Sequence, residues 1–478
     1  MMRSPVLRVL PFLIPVAFVA GCAVNPVTGQ REFSLISEAQ EIQMGTEADA
    51  QIVAQMGLHP DADLQEYVSD LGMRMALASE RPDLPWTFRV VDDPMVNAFA
   101  LPGGFVYITR GIMAHLTSEA ELVGVLGHEI GHVTARHSAS QISRQQLLGG
   151  LVGAGMIFVE ELRPYGEAAA LGLQLMSRKY GRDDERQADD LGFRYMTTAG
   201  YNPTELIDVF ATLEALGGGA DASGIPSWLA SHPDPGERQV RIQEQLASAA
   251  LDPGQLDVNE NPYLQRLDGM IFGENPREGY FEGTTLHHPD LEFRIDFPAS
   301  WQTLNGKQAV QGVSPQNDAA MILELAEAAS ADAALQTFFS EGVTRVASSS
   351  DRVNGSPARW GEFSAETEQG VLRGMVVFVE YGGLVYSIMG FAPSAAWTTH
   401  AGTVRAALGS FQRERDPAVL SIQPDRVGVV SLPTELSIAA FMDRFPSSVP
   451  SEQIALINHV RGSGNLPTTR LAKRVIGG

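Results

Sequence analysis

A short stretch in the first third of the chain contains the residues most able to do chemistry. It reads Gly-His-Glu-Ile-Gly-His-Val-Thr-Ala-Arg-His and spans residues 127–137. His128 and His132 are four residues apart, so on a helix both side chains lie on one face. Two neutral imidazoles at this spacing can occupy two corners of a zinc tetrahedron. Glu129, beside the first histidine, can reach a water on the metal without binding the metal itself.

A zinc site of this kind needs a third protein ligand, and His137 is the nearest candidate. If the helix continues, His137 projects about 140° away from His132. We therefore expect His137 to serve packing or hydrogen bonding rather than metal binding. The spacing H-E-x-x-H-x-x-G-x-x-H also fails, because Ala135 and Ser138 occupy the required Gly and His positions.

Acidic residues farther along the chain offer another source of the third ligand. The segment 181–192, GRDDERQADDLG, places Glu185 and Asp189 on one face of a helix. This spacing suits one ligand and a second carboxylate that holds a histidine N–H and fixes its tautomer. The alternative is a solvated acidic helix N-terminus, which the helix dipole favours. From these residues alone, both interpretations stay open.

Capping signals indicate which elements position the histidine stretch. Ser37 and Gln40 form a capping box that opens a helix through Met56, and Ser118 and Glu121 form another before the helix with the histidines. The other elements predicted for this half are a helix at 63–79 and strands at 87–91 and 105–109. A mainly helical domain with a small β-sheet is therefore expected.

Length and charge limit the class of protein. A chain of 478 residues is longer than one hydrophobic core usually covers, so two or three domains are expected. The formal net charge of −23 argues against sequence-independent nucleic-acid binding, which depends on Lys and Arg. We expect no nucleic-acid partner.

The N-terminus has the pattern of an exported protein. Arg3 and Arg8 precede an apolar run at 9–20, followed by Gly21 and Cys22, the only cysteine of the chain. This pattern predicts a signal peptide at 1–21. The ending Val-Ala-Gly-Cys resembles the bacterial lipobox, which implies lipidation of Cys22, with an ordinary cleaved signal as the alternative.

The second half of the chain carries no catalytic pattern. Strands are predicted at 291–297, 321–325, 371–381 and 384–391, and helices at 331–346 and 395–411. They indicate a small α+β domain. Near the C-terminus, two helical stretches faintly resemble part of a LysM peptidoglycan-binding module, and a plain amphipathic helix pair is the alternative. The apolar segment 147–159 is too short to span a membrane, so burial is expected.

Several motifs together resemble one known family. The stretches HEIGHVTARH, ERQAD, NAFALPGG and CAVNPVTGQREFSLISEAQEIQMG look like those of the HtpX/BepA-type gluzincin metallopeptidases. The resemblance covers about residues 22–250. It implies a lipid-anchored periplasmic branch, with Glu185 as third zinc ligand and Asp189 supporting a histidine ligand. Ala23, rather than Asp, after the cysteine implies sorting to the outer membrane.

The same resemblance implies further site residues. His232 lies in a loop that is near the active site in relatives, where it would stabilise the oxyanion or cap the metal at rest, oriented by Arg238. An exposed strand beside the metal would bind an extended substrate by sheet addition. An ordinary buried hairpin is the alternative. The substrate-binding residues predicted on this basis are Asn97, Ala98, Phe99, Gly103 and Gly104.

These observations predict an α+β zinc endopeptidase. One Zn²⁺ per chain would be held by His128, His132 and Glu185, and Glu129 would act as general base on the zinc-bound water. Unfolded or misassembled envelope proteins are the expected substrates. The alternative is a non-enzymatic or latent assembly factor for outer-membrane proteins with a structural zinc, whose C-terminal half contacts peptidoglycan or assembly machinery.

The predicted organisation has six parts. They are a signal peptide at 1–21, a lipidated tether at 22–36, a zinc metallopeptidase domain at 37–250, a linker at 251–285, an α+β domain of unknown role at 286–415 and a small, LysM-like C-terminal segment at 416–478.

Overall fold

The structure is a computed structural model of the chain. It describes residues 22–147, 180–217, 228, 231–232, 235–340, 343–367 and 370–478. The predicted signal peptide at 1–21 and residues 148–159 of the predicted apolar segment lie outside the described residues.

The N-terminal part forms a hairpin and a long helix. Strand β1 (Cys22–Val24) pairs antiparallel with β2 (Arg31–Phe33), and helix α1 (Glu38–Met56) follows. The capping box is confirmed, because the Ser37 hydroxyl accepts from the Gln40 backbone N–H and the Gln40 side chain accepts from the Ser37 backbone N–H. Lipidation of Cys22 stays a prediction.

Helices surround a small sheet in the first half of the chain. The helices are α2 (Ala62–Ala76), α3 (Arg110–His115), α4 (Glu119–Thr134), α5 (His137–Leu147), α6 (Arg182–Thr198), α7 (Glu205–Gly217) and α8 (Pro235–Ser248). The strands are β3 (Thr87–Val91), β4 (Ala98–Leu101) and β5 (Phe105–Thr109). Their order is β3-β5-β4, with β3 parallel and β4 antiparallel to β5. The strands predicted at 87–91 and 105–109 are confirmed.

The two ends of α4 differ from the prediction. Ser118 caps the helix by accepting from the Glu121 backbone N–H, as expected. The Glu121 carboxylate, however, accepts from the Thr117 backbone N–H rather than from Ser118, so the reciprocal half of the capping box is absent here. At the other end the helix stops at Thr134, so the histidine stretch spans two helices rather than one.

Antiparallel sheets and three α-helices form the described residues of the following part of the chain. One helix, α9 (Glu260–Leu267), lies within the predicted linker and buries three of its side chains. The strands after it are β6 (Tyr280–Glu282), β7 (Thr285–His288), β8 (Phe293–Asp296), β9 (Gln302–Asn305), β10 (Ala309–Val313), β11 (Ala320–Leu325), β12 (Thr344–Val353), β13 (Ser356–Thr367), β14 (Gly370–Tyr381), β15 (Leu384–Pro393) and β16 (Gln412–Arg413). The helices are α10 (Ala331–Ser340) and α11 (Ser394–Leu408). One sheet has the order β12-β13-β14-β15-β11-β10-β9 and the other β16-β8-β7-β6.

The helix predicted at 331–346 is too long. It ends at Ser340, and β12 begins at Thr344. Thr344 and Val346 are β-branched, a residue type that favours strands, and β12 pairs along its length with β13. Pairing in a hairpin with the next strand therefore overrides the helical continuation.

The last segment has its elements in the order α-β-β-α-α-β-β. Its elements are α12 (Pro417–Ser421), β17 (Arg426–Val430), β18 (Leu436–Ser437), α13 (Ile438–Arg444), α14 (Ser451–Ile457), β19 (Asn465–Leu466) and β20 (Ala472–Ile476). Strand β17 pairs antiparallel with β20. The LysM-like interpretation of this segment stays a prediction.

One apolar cluster joins this last segment to the helices of the first half. Phe441 on α13 and Val475 on β20 are buried in the same cluster as Leu122 and Leu126 on α4. Lys473 is also buried there, and its ammonium donates to the carbonyl of Leu116. The predicted α+β fold class, with a helical first half and a β-rich region after it, is confirmed. Across the described residues, no helix has the length and apolar character of a membrane span.

Candidate metal centre

The histidines of α4 face each other as the spacing predicts. The Nε2 atoms of His128 and His132 are 3.0 Å apart, and both side chains are buried. Burial, followed by the nearby Arg238 charge, lowers the pKa of His128 to about 3, which keeps this imidazole neutral. A neutral imidazole retains the lone pair that a metal ion requires.

Close approach of two helices brings the acidic residues of α6 to these histidines. A Cβ atom added to Gly192 on α6 would lie 3.0 Å from the His128 backbone nitrogen, and one added to Gly131 on α4 would lie 3.0 Å from the Ala188 carbonyl oxygen. The small residues at these contacts therefore let the two backbones touch. Larger residues here would move α6 away from α4.

Glu185 on α6 completes a set of three donors. Its carboxylate oxygens lie 3.6 Å from His128 Nε2 and 3.5 Å from His132 Nε2. Burial alone would raise the pKa of Glu185, but His232 and Arg238 outweigh it, so the pKa lies well below the usual range. The carboxylate is therefore ionised, as a metal ligand must be.

Asp189, one helical turn farther along α6, supports His128. Its Oδ1 atom lies 3.0 Å from His128 Nδ1, and Arg238 Nε donates to its Oδ2 at 2.8 Å. A carboxylate at Nδ1 favours the tautomer whose Nε2 carries the free lone pair. Arg238 also lies 3.3 Å from Glu185 and above the Trp228 ring. Arg238 thus contacts both carboxylates, His128 and the Trp228 ring, whereas the resemblance implied that it orients His232.

His232 lies inside the donor set rather than beside it. Its Nδ1 is 2.9 Å from Glu185 Oε1 and 3.2 Å from His128 Nε2. Its ring stacks on Trp228 at 4.7 Å between centroids, and its backbone N–H donates to the Trp228 carbonyl. No sequence motif indicated that Trp228 would stack on His232.

The donor set fits a zinc ion. His128, His132, Glu185 and His232 each offer a ligand atom, and these atoms all lie within 4.8 Å of one another. Bonds of about 2.0–2.1 Å from zinc to four tetrahedral ligands separate the ligand atoms by roughly 3.3 Å, close to the observed spacing. Within the described residues, Glu185 Oε2 is buried without a hydrogen bond and lies 3.3 Å from Arg238 Nη1, so the carboxylate keeps lone pairs available to an ion. Three nitrogens and one carboxylate oxygen are a donor set that zinc accepts.

Glu129 is positioned beside this set without being part of it. Its carboxylate is fully buried, and neither oxygen has a hydrogen-bond partner in the described part of the chain. Its Oε1 lies 3.7 Å from His232 Nε2. Burial raises the pKa of Glu129 to about 7, which suits a group that accepts and returns a proton near neutral pH.

His137 lies outside the donor set but contacts one of its members. Its Nδ1 is 2.9 Å from His132 Nδ1, and its Nε2 is 2.9 Å from Gln187 Oε1. The expected hydrogen-bonding role is confirmed, but the helical projection behind it is wrong because α4 ends before His137. Tyr180, which the sequence did not indicate, stacks on His132 at 3.9 Å between ring centroids.

The residues predicted to bind substrate lie on or near β4, which is the last strand on one side of its sheet. Phe99 stacks on Tyr107 at 4.7 Å, in the apolar cluster that includes side chains of α1. Gly103 has a φ of 86°, and an added Cβ would lie 2.6 Å from Ile42 Cα on α1. Gly103 and Phe99 therefore make packing contacts within the fold. Gly104 lies near Trp86, the residue just before β3.

The remaining two of these residues are also buried. The Asn97 carbonyl accepts from the Thr109 backbone N–H, and Ala98 pairs with Ile108. Substrate binding by these five residues stays a prediction.

Comparison with known proteins shows that the part of the chain with this centre is similar to a known family. Residues 62–246 match peptidase family M48. The "Beta-barrel assembly-enhancing protease" of Escherichia coli (strain K12) is 30% identical over 230 residues, which cover 46% of this chain and 47% of that protein. The "Mitochondrial metalloendopeptidase OMA1" of Schizosaccharomyces pombe is 28% identical over 231 residues, which cover 47% of this chain and 66% of that protein.

The similarity is confined to part of each protein. The chain spans about half the length of the Escherichia coli relative. Among solved structures, the cyanobacterial PsbP (CyanoP) from Synechocystis sp. PCC 6803 aligns with 28% of this chain and 94% of its own. The sequence identity is 12% and the TM-score is 0.24. Residues 62–246, the part of the chain that matches peptidase family M48, include α4, α6 and the four donors.

Proposed function

We propose that this chain is a zinc-dependent endopeptidase that hydrolyses peptide bonds of unfolded or misassembled envelope proteins. The observation that carries the proposal is the unpartnered, buried Glu129 carboxylate beside a set of donors with the spacing of zinc ligands. A structural zinc site has no need of a free carboxylate at this position. The family of the domain supports the same activity.

Each residue of the centre then has a distinct task. His128, His132 and Glu185 would hold the ion. When bound, zinc would supply a Lewis acid that polarises the scissile carbonyl and makes water a stronger acid near neutral pH. Glu129 accepts the proton of the attacking water and passes it to the leaving amine. Asp189, held by Arg238, keeps His128 in the required orientation.

His232 determines whether the centre is open. With four protein donors, a tetrahedral site is closed, whereas a catalytic zinc keeps one position for water or substrate. The distance of 2.9 Å from His232 Nδ1 to Glu185 supports a resting form in which His232 would also hold the ion. Catalysis then requires His232 to leave the set, after which its ring can donate to the developing oxyanion.

The position of His232 within the donor set favours a second candidate function. If His232 stays in place, the protein is a latent enzyme, or an assembly factor for outer-membrane proteins whose zinc is structural. The Escherichia coli relative is called a "Beta-barrel assembly-enhancing protease", and this name supports envelope substrates for either function. We propose that the protein lies in the periplasm and is anchored to the outer membrane through lipidated Cys22. We also propose that its C-terminal half contacts peptidoglycan or assembly machinery.

Cleavage of a chemically unfolded protein by zinc-loaded variants tests the proposal. Glu129→Gln should keep its zinc and lose about 10²–10⁴-fold in rate, because the general base is gone. Glu237→Gln, which changes an exposed carboxylate on α8, is the matched control and should cleave like the wild type. Equal cleavage by wild type and Glu129→Gln at full zinc occupancy would refute the proposed mechanism.

His232→Ala separates the two candidate functions. A faster rate than the wild type indicates that His232 blocks the resting site, and a slower rate indicates that its oxyanion role dominates. No cleavage by the wild type or by His232→Ala, with one zinc bound in each, favours the assembly factor.

A further inference from the structure

The two histidines of α4 have different partners behind the metal-facing nitrogen. His128 Nδ1 contacts the carboxylate of Asp189, which is held by Arg238. His132 Nδ1 instead contacts the Nδ1 of another histidine, His137, at 2.9 Å. Two ring nitrogens can form a hydrogen bond only if one carries a proton and the other does not. The geometry of this pair therefore fixes the protonation of both rings together.

Gln187 determines which of the two rings donates. Its Oε1 atom lies 2.9 Å from His137 Nε2, and an amide oxygen can only accept. His137 Nε2 therefore carries the proton, and in the neutral ring His137 Nδ1 is an acceptor. His132 Nδ1–H must then donate to it, which leaves the lone pair of His132 on Nε2, the atom that faces His128 and Glu185.

The reverse orientation of the amide would have the opposite effect. An N–H₂ group of Gln187 toward His137 would place the proton on His137 Nδ1, which would donate to His132 Nδ1. His132 Nε2 would then carry a proton and could not bind a metal. The tautomer of a metal ligand thus depends on a side chain two contacts away.

A turn between two helices brings His137 to this position. Arg136 has a φ of 59°, a left-handed conformation that is unfavourable for a non-glycine residue. This turn ends α4 and starts α5 at His137, which returns the ring toward His132. The Arg136 guanidinium contacts the buried Glu41 carboxylate and donates to the Ile36 carbonyl, so the start of α1 holds the turn.

We infer that His137 and Gln187 form a relay of positioning residues that holds His132 in its metal-binding tautomer. The inference rests on the proposed function of the centre, because it assigns the relay to a zinc ligand. His137 is not itself a ligand, since both of its ring nitrogens are engaged with His132 and Gln187. Gln187 lies on α6 between Glu185 and Asp189, so one helix supplies a ligand and the supports of both histidines.

Zinc affinity, measured by competition with a chromophoric chelator, tests the relay without reference to activity. His137→Phe and Gln187→Leu should each raise the Kd for zinc by about 10–100-fold, the usual effect of losing a partner behind a ligand. Gln187→Glu keeps an acceptor and should bind zinc as tightly as the wild type or more tightly. Gln65→Leu, which removes a well-bonded amide on α2, is the matched control and should leave the Kd unchanged.

A spectroscopic measurement separates the tautomer from a general loss of stability. Nitrogen-15 spectra of the zinc-loaded protein, with His137 assigned by comparison with His137→Phe, should show its proton on Nε2. An unchanged Kd in both His137→Phe and Gln187→Leu, a Gln187→Glu variant as weak as Gln187→Leu, or a proton on His137 Nδ1 would each overturn the inference.

Failure of the relay and failure of the proposed function give different results. If the wild type binds zinc and depends on Glu129 for cleavage, but the relay variants keep the wild-type Kd, only the relay is refuted. If the wild type binds no zinc, both are refuted.

Discussion

Gly127 on α4 and Gly192 on α6 are in direct backbone contact. A Cβ atom added to Gly127 would lie 3.2 Å from Gly192 Cα, and one added to Gly192 would lie 3.0 Å from the backbone nitrogen of His128. Because the opposing atoms belong to backbone, no side-chain rotation can make room. This contact sets the distance between the histidines of one helix and the carboxylates of the other.

Gly192→Ala should therefore weaken both the fold and the metal site. We expect a loss of about 1–3 kcal/mol in the free energy of unfolding, the usual cost of overpacking, together with a higher Kd for zinc. Denaturant unfolding and chelator competition measure the two effects. Gly402→Ala is the matched control: Gly402 is a helical glycine on α11 with open space around it, and alanine there should stabilise by up to about 1 kcal/mol. A Gly192→Ala variant with wild-type stability and zinc affinity would contradict this account.

Glu205, the first residue of α7, contacts the N-cap of α4 and makes stability depend on pH. Burial, followed by repulsion from Glu121, raises the pKa of Glu205 to about 7, although the Ser118 hydroxyl donates to it. Since the folded-state pKa lies above the ordinary value of 4.5, the stabilising contribution is complete below that value and is lost as the pH rises through 7. The carboxylate is thus a source of destabilisation at neutral and alkaline pH.

Glu205→Gln should remove this dependence. In metal-free protein at a pH below 4.5, we expect the variant and the wild type to have the same free energy of unfolding. Above neutral pH, the variant should be about 1–2 kcal/mol more stable, after allowance for the partial exposure of Glu205. Urea unfolding across this range measures the difference. Glu244→Gln, at an exposed position on α8, should show no such growth with pH. A difference between Glu205→Gln and wild type that stays constant with pH would argue against burial as the cause.

The C-terminal segment should stabilise the catalytic helix through the shared apolar cluster. Phe441→Ala removes a fully buried ring from that cluster and should cost about 3–5 kcal/mol. Hydrogen exchange of the α4 amides should accelerate as a result. Phe338→Ala removes a buried ring from a separate cluster beside the seven-stranded sheet and should leave exchange in α4 unchanged. Equal effects of the two substitutions on α4 would show that the segment 416–478 is not coupled to this helix.

Much of the centre could be predicted from local spacing. His128 and His132 are one turn apart, and so are Glu185 and Asp189, so helical periodicity alone placed each pair on one face. Spacing could not show that α6 lies against α4, because that contact depends on glycines whose role appears only when the two backbones meet. The family resemblance supplied the connection.

The parts that sequence reasoning missed depend on distant contacts. The end of α4 at Thr134 requires a left-handed Arg136, a conformation that local propensity does not favour and that Glu41, far away in the chain, helps to hold. Similarly, Trp228 positions His232 through ring stacking, a contact that no local sequence pattern indicates. Helical projection of His137 failed for the first of these reasons.

Zinc K-edge X-ray absorption of the purified chain tests the central claim most directly. We predict one zinc per chain with nitrogen and oxygen ligands at about 2.0–2.1 Å and the scattering of three imidazoles. His232→Phe should reduce the imidazole count to two, with zinc still bound by His128, His132 and Glu185. A chain that binds no zinc, or a His232→Phe variant whose imidazole count is unchanged, would contradict the account.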